Sequence, residues 1–386
     1  MSIFTLFFCG TGSNRNDSTP NAVIEDKDKN GAWIFHAGEL ISTLAKNMVA
    51  QEFYSWTIVD GPGSGNLQEQ EKWVKPGNHH NIMGQLLGKG WENNVAHALA
   101  VLKADPSFFA QQPGYIAQKK QFQIRTTNSQ PIEVVNLVGW SRGGVTCHMM
   151  ANAMAEDPKL SHIKVNIFAI DPVPGLFQFA EHRTKIKFNV HDYYVVYARH
   201  EASLGFTPVM TNNLDVSGKI AFYAMPGRHA TVVGNGSETG DNIYNQPTDF
   251  TEPGKIVRCL VEKQLTSWGV KLNNTLSLTD EEMLQYYDIM LADLPKYQLM
   301  SKNVYTVRDY FSAERKVGNE SQNKKWSQLN MLASPNFSGK DIFINQHHMN
   351  LFINYQSRMR LNEADMAKKF PTTCQLITKL PPTFNR

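Results

Sequence analysis

The chain has 386 residues, of which 41% are apolar and 19% are charged, and its formal net charge is +3. These values are typical of folded globular proteins and exclude global disorder. A net charge this small gives no support for nucleic-acid binding, which requires basic residues clustered on one face. No apolar run approaches the roughly 20 residues that cross a bilayer, and the N-terminus lacks the basic region and the length of a signal peptide. We therefore expect a protein made in a cytoplasm without a cleaved signal.

Neither a disulfide framework nor a metal site is indicated by the sequence. The four cysteines are far apart and form no Cys-x-x-Cys pair, so we expect reduced thiols. His79 and His80 are adjacent, and adjacent side chains of an extended segment point to opposite sides. A metal site also needs further ligands at suitable spacing, which this pair lacks. The sequence therefore predicts chemistry without a metal or another cofactor.

Strand-like and helix-like segments alternate through the first 270 residues. This alternation predicts an α/β protein with a mostly parallel central sheet flanked by helices. The predicted elements are, in chain order, strands at 3–8 and 56–59, helices at 33–50 and 91–103, a strand at 132–138, a helix at 145–155, strands at 163–170, 192–198 and 220–224, and a helix at 254–268. The continuous apolar, β-branched run at 132–138 is typical of a central strand buried on both faces.

A different pattern begins near residue 271. Thr279, followed three positions later by Glu282, forms a capping box that predicts the start of a helix. That helix carries an apolar stripe at helical spacing, which either packs on the core or contacts an apolar ligand: Met283, Leu284, Tyr287, Met290 and Leu291. We expect residues 1–270 to form an α/β core and residues 271–386 to form a helical cap or appendage.

The strongest motif lies between the strand at 132–138 and the helix that follows it. It reads Gly139-Trp140-Ser141-Arg142-Gly143, with Gly144 as a further small residue. A Gly-x-Ser-x-Gly sequence between a strand and a helix is typical of a nucleophile elbow, in which the serine hydroxyl projects above the sheet. Because the next backbone N–H belongs to Arg142 at a helix N-terminus, it is suited to stabilise a developing oxyanion. We expect Ser141 to be a nucleophile.

A serine nucleophile needs a base, and the base needs a carboxylate that orients it. Asp171 ends the strand after the serine strand, so its carboxylate is expected at the same edge of the sheet. Two alternatives are Asp192 and Asp215, neither of which follows a core strand. We expect Asp171 to be the orienting acid.

Two segments offer a histidine base. His229 follows a predicted strand in Pro226-Gly227-Arg228-His229, and its ring is then expected within about 3 Å of the Ser141 hydroxyl. The alternative is His348, or its neighbour His347, late in the chain. A second oxyanion donor is expected from the loop after the first strand, at Thr11 or Gly12, because that loop lies at the same edge.

Five motifs in this order resemble the bacterial and fungal α/β-hydrolase family that includes phospholipase effectors of type VI secretion. The matching segments are Phe8–Asn14, Asp60–Gly65, Gly139–Gly143, Asp171–Val173 and Pro226–Gly234. The chain departs from the family pattern at Cys9, where the family has aspartate, at Pro172, and at Gly234-Asn235-Gly236. The resemblance covers roughly residues 1–270.

The resemblance implies an α/β-hydrolase fold with Ser141, Asp171 and His229 as the catalytic triad. It also implies a lipase or phospholipase that is made in the bacterial cytoplasm and secreted as an effector. The implied partners are phospholipid or another acyl ester, a membrane surface contacted peripherally, and a secretion-system or immunity protein. Two alternatives remain: a non-lipid esterase or amidase on the same triad, and an inactive hydrolase scaffold used for binding. A phospholipid panel and a serine-directed probe distinguish them.

Overall fold

A computed structural model gives the fold of the protein. It describes residues 2–15, 39–63, 90–104, 131–175, 178–203, 205–210, 216–234, 250–301, 316–317, 324–325 and 342–379. Asp215 and the His79-His80 pair, which the sequence raised as candidate site residues, lie outside these ranges.

A six-stranded parallel sheet forms the centre of the described structure, with strand order β2-β1-β3-β4-β5-β6. The strands are β1 (Ile3–Phe8), β2 (Trp56–Val59), β3 (Val134–Trp140), β4 (Lys164–Ile170), β5 (Val190–Ala198) and β6 (Ile220–Met225). Every residue of β3 is buried, as its continuous apolar sequence predicted. The strand order reverses between β1 and β3, and such a reversal creates a crevice at the carboxyl ends of the strands.

Helices cover both faces of this sheet. They are α1 (Glu39–Lys46), α2 (Trp91–Lys103), α3 (Arg142–Glu156), α4 (Glu181–Thr184) and α5 (Glu252–Ser267). Buried side chains of α2 and α3 form one apolar cluster with one face of the sheet, and those of α1 and α5 form another with the opposite face. The predicted fold class, an α/β fold with a parallel central sheet flanked by helices, is confirmed.

In the described ranges, five further helices follow α5. They are α6 (Asp280–Ala292), α7 (Leu294–Met300), α8 (Gln346–Met359), α9 (Glu363–Lys369) and α10 (Pro371–Thr378), and a short antiparallel pair joins β7 (Lys316–Val317) to β8 (Lys324–Lys325). The predicted capping box is present at the start of α6, where Thr279 and Glu282 bond reciprocally. Among the helices of the described ranges, none combines the length and the apolarity needed to cross a bilayer.

The apolar stripe of α6 is buried. Met283, Tyr287, Met290 and Leu291 belong to the same apolar cluster as α1, α5 and one face of the sheet. Leu284 packs instead in a smaller cluster with side chains of α8 and α9. Of the two interpretations of this stripe, packing on the core is therefore the one that the structure supports. The division of the chain at residue 270 stays a prediction.

The turn between β3 and α3 is packed so closely against β1 that only glycine fits at two positions. A Cβ atom on Gly139 would lie 2.2 Å from the carbonyl oxygen of Gly143, and one on Gly143 would lie 2.1 Å from that of Phe8. These neighbours are backbone atoms of the sheet and the turn, so they cannot move aside as a flexible side chain does. The helix α3 begins directly in this turn, at Arg142, three residues earlier than its periodicity predicted.

We predict that Gly143→Ala destabilises the protein, whereas Gly144→Ala does not. The added methyl at residue 143 overlaps the Phe8 carbonyl, and forced overpacking lowers the free energy of unfolding by about 3 kcal/mol. At Gly144 the nearest atom is a Pro172 side-chain carbon at 3.1 Å, and alanine in a helix offsets that crowding by about 1 kcal/mol. Urea unfolding of the two variants measures the difference. Equal stabilities would contradict this account of the turn.

Candidate active site

Ser141 occupies a strained position between β3 and α3. Its backbone angles are φ 58° and ψ −126°, a region that residues with a side chain rarely adopt. Its N–H donates to the carbonyl of Ile170 at 3.0 Å, which fixes the serine beside the end of β4. Only 5% of the residue is exposed. The sheet hydrogen bonds and the glycine contacts around it hold this conformation in place.

Asp171 and His229 form a buried pair. The Nδ1 atom of His229 lies 2.6 Å from Oδ2 of Asp171, and the other carboxylate oxygen accepts the N–H of Ala198 at 3.0 Å. Asp171 is fully buried and directly follows β4, as its sequence position predicted. Because the carboxylate is fixed on both oxygens, it holds the proton of the imidazole on Nδ1. The Nε2 atom is then left to act as a proton acceptor.

The His229 ring lies directly beside the elbow. The Trp140 ring, one residue before Ser141, is 4.7 Å from it, and the Trp140 Nε1–H donates to the His229 carbonyl at 3.2 Å. The Phe206 ring also packs against the imidazole in a T-shaped arrangement, with ring centroids 5.0 Å apart. Within the described residues Nε2 is buried and makes no hydrogen bond, so the expected Ser141–His229 contact is not formed. The hydrogen bond between a serine nucleophile and its base often tightens only in the complex with substrate.

The alternative candidates lie in other surroundings. Asp192 lies within β5, where its carboxylate accepts the Trp268 Nε1–H at 2.8 Å and the Lys219 N–H at 2.8 Å. His348 stacks on Tyr287 with ring centroids 4.4 Å apart, and burial holds its pKa well below the usual value. His347 contacts the Tyr287 hydroxyl through Nδ1 at 2.8 Å. The carboxylate of Asp171 is therefore paired with His229 and not with either late histidine.

The loop after β1 meets the start of α3. The Arg142 guanidinium donates to Thr11 Oγ1 at 2.9 Å and to the Pro174 carbonyl at 3.2 Å. Burial, and then the charge of Arg183, lowers the pKa of Arg142 to about 10, so the side chain stays protonated at neutral pH. The N–H of Gly12 donates to the Pro62 carbonyl at 3.1 Å, so it is already used. An oxyanion role for the N–H of Thr11 stays a prediction.

The sequence reasoning missed the residues that hold the His229 loop. Glu201 accepts the His229 N–H at 3.2 Å, and Arg228 pairs with the same carboxylate. Phe206, which packs on the imidazole, lies five residues after Glu201 in the sequence. The position of Arg228 next to His229 was a signal in the sequence, but its partner lies 27 residues earlier and could not be recognised by spacing. No group of three or more metal-ligating side chains occurs in the part of the chain that the structure describes.

Comparisons with known proteins show remote structural similarity. No family model and no curated protein sequence matches the chain. A crystal structure of an uncharacterized protein from Pseudomonas aeruginosa has a TM-score of 0.42 and 11% identity, over 96% of this chain and 64% of that chain. The Tle1 effector bound to the VgrG spike from the Type 6 secretion system has a TM-score of 0.31 and 13% identity, over 60% of this chain and 51% of that chain. The chain thus spans just under two thirds of the first structure and about half of the second.

We predict that Ser141→Gly is more stable than Ser141→Ala. Glycine adopts the observed backbone angles without strain, whereas alanine retains the strain of serine. After the larger chain entropy of glycine in the unfolded state is subtracted, the expected gain in the free energy of unfolding is about 1 kcal/mol. At the exposed helical residue Ser357 the same comparison should reverse, because glycine costs a helix about 1 kcal/mol relative to alanine. A more stable alanine variant at residue 141 would refute the strain.

Proposed function

We propose that the chain is a serine carboxylester hydrolase, and that its substrates are acyl esters of lipids, phospholipids above all. One observation carries the proposal. A strained Ser141 at the carboxyl end of β3 lies beside a buried Asp171–His229 pair whose Nδ1–Oδ2 distance is 2.6 Å. An α/β sheet with a nucleophile turn and an ordered acid–histidine pair supports acyl transfer through a covalent serine intermediate.

Each residue has a defined role in the proposed reaction. The Ser141 hydroxyl attacks the acyl carbonyl, and Nε2 of His229 takes its proton and passes it to the leaving alcohol. Asp171 holds the Nδ1 proton and stabilises the imidazolium that forms. The backbone N–H groups of Arg142 and Thr11 donate to the oxyanion of the tetrahedral intermediate. Water then attacks the acyl-enzyme by the same route and restores Ser141.

The lipid substrate and the cellular role rest on the motif resemblance. The family that these motifs resemble includes phospholipase effectors, and the Tle1 structure names a secretion spike as the partner of that protein. We therefore propose a bacterial effector that is secreted into a target cell, with a spike or immunity protein as its partner and with peripheral contact to a membrane. A non-lipid esterase and a binding scaffold remain as outcomes of the tests below.

We predict that Ser141→Ala abolishes phospholipid hydrolysis while the protein stays folded. Loss of a triad serine typically lowers kcat by about 10⁶-fold. The measurement is a panel of phospholipids and short-chain esters with products identified by mass spectrometry. The matched control is Ser357→Ala on α8, which should keep wild-type rates.

The panel separates the candidate functions. The lipase proposal is supported if the wild type and Ser357→Ala release fatty acid or lysophospholipid and Ser141→Ala does not. Turnover of short esters without lipids would indicate a non-lipid esterase. No turnover of any ester, or equal rates for Ser141→Ala, would overturn the proposed chemistry.

We also predict that Asp171→Asn lowers kcat by about 10⁴-fold, because an amide in place of the carboxylate favours the wrong imidazole tautomer. Asp192→Asn is the matched control, since Asp192 is a buried sheet carboxylate that contacts Trp268 instead of the histidine. Steady-state rates on a p-nitrophenyl ester give both values. Similar losses in the two variants would mean that Asp171 acts only through stability.

A further inference from the structure

Glu201 is a second buried carboxylate next to the proposed triad. It follows β5, only 3% of the residue is exposed, and both oxygens accept hydrogen bonds. Oε2 accepts the N–H of His229 at 3.2 Å and the Nε–H of Arg228 at 3.4 Å, while Oε1 accepts the Ser203 N–H at 2.7 Å. One carboxylate therefore joins the loop after β5 to the backbone of the proposed base.

Arg228 completes this link from the other loop. It is 4% exposed, it directly precedes His229, and its guanidinium also donates to Ser203 Oγ at 3.0 Å. The turn before it favours glycine, because Gly227 has φ +99°. The N–H of Gly227 donates to Nδ1 of His200 at 3.0 Å. The segment from Gly227 to His229 is thus bonded to the loop after β5 at every residue.

A buried ion pair that joins two loops contributes little to the free energy of folding. Desolvation of the two charges opposes folding, and apolar side chains of similar volume often give equal or greater stability. Buried charges are better suited to fix one geometry or one local potential, both of which matter to a general base. Glu201, which pairs with Arg228, accepts the backbone N–H of His229, the base of the proposed reaction.

We propose that Glu201 is a positioning residue for His229: it fixes the backbone of the base and neutralises Arg228 beside the imidazole. This inference rests on the proposed function. Glu201 acts through His229 and Arg228. Its first effect is geometric, since the carboxylate sets where Nε2 points relative to Ser141. Its second effect is electrostatic, since it pairs with the positive charge of Arg228, the residue directly before His229.

The charges around His229 determine the direction of the electrostatic effect. Asp171 contacts the ring directly, Glu201 and Arg228 lie on its backbone side, and the Arg142 guanidinium is directed to Thr11 and Pro174. His200 is neutral, because its Nδ1 accepts a hydrogen bond and burial lowers its pKa to about 3. Loss of the Glu201 charge removes a negative charge near His229, which disfavours the imidazolium. Loss of the Arg228 charge favours the imidazolium.

We predict opposite pH effects for the two charge deletions. In Glu201→Gln the acidic limb of the kcat/KM profile should move to lower pH, and kcat should fall by about 10²-fold because the base is misplaced. In Arg228→Met the acidic limb should move to higher pH. In the double variant, which removes one charge of each sign, the limb should return close to the wild-type position.

Glu262→Gln is the matched control. Glu262 is also buried, pairs with Arg258 at 2.7 Å and accepts the Leu276 N–H at 2.7 Å, but it lies on α5 away from His229. It should lower the free energy of unfolding without moving the pH profile. If Glu201→Gln fails to fold, the Arg228→Met and double variants carry the test. An unchanged acidic limb in Arg228→Met, a double variant whose limb does not return close to the wild-type position, or shifts of one sign in both single variants would overturn the proposal.

A readout without turnover separates this inference from the proposed function. The NMR titration of the His229 Cε1–H resonance, assigned with His229→Gln, should show the same two opposite shifts of its midpoint. If the wild type hydrolyses no ester and the NMR shifts are present, the proposed function fails and the positioning role of Glu201 stands. If the wild type is active and neither readout changes, Glu201 is structural only and the proposed function stands.

Discussion

The contact between the turn after β3 and the end of β1 is the constraint on which the site depends. With glycine at residues 139 and 143, the start of α3 approaches the Phe8 carbonyl so closely that a single methyl would not fit. This approach forces Ser141 into its strained backbone conformation and brings the Arg142 N–H and the loop of Thr11 to one edge. The strain is maintained by the sheet, since Ser141 and Asp171 each donate an N–H to the neighbouring strand.

The helices beyond residue 271 also contact the elements that hold His229. Tyr297 of α7 stacks on His200 with ring centroids 6.1 Å apart, and His200 accepts the N–H of Gly227. Asn345 donates to the Ala224 carbonyl near the end of β6, at 2.8 Å. These contacts link the C-terminal helices to the strand and the loop that carry His229. The appendage expected from the sequence thus supports the loop of the proposed base, and the stripe on α6 belongs to the core.

The sheet and the elbow could be predicted because their signals are local. The bounds of β1, β2 and α2 match the predictions residue for residue, since each is an apolar run or a helical period bounded by turn residues. The acid and the histidine could be placed because the ends of parallel strands meet at one edge. The role of Glu201 could not be predicted, because Glu201 pairs with Arg228 of a different loop and belongs to no sequence motif. The choice between Thr11 and Gly12 likewise depends on the Pro62 carbonyl, a contact that sequence spacing does not reveal.

The most direct test of the central claim is covalent labelling with a fluorophosphonate probe, followed by peptide mass spectrometry. The probe reacts only with a serine whose hydroxyl is activated by a base. The account predicts a single adduct on the peptide that contains Ser141, with labelling much slower in His229→Ala. Labelling of another residue, or equal rates with and without His229, would contradict the claim that Ser141 is a nucleophile activated by His229.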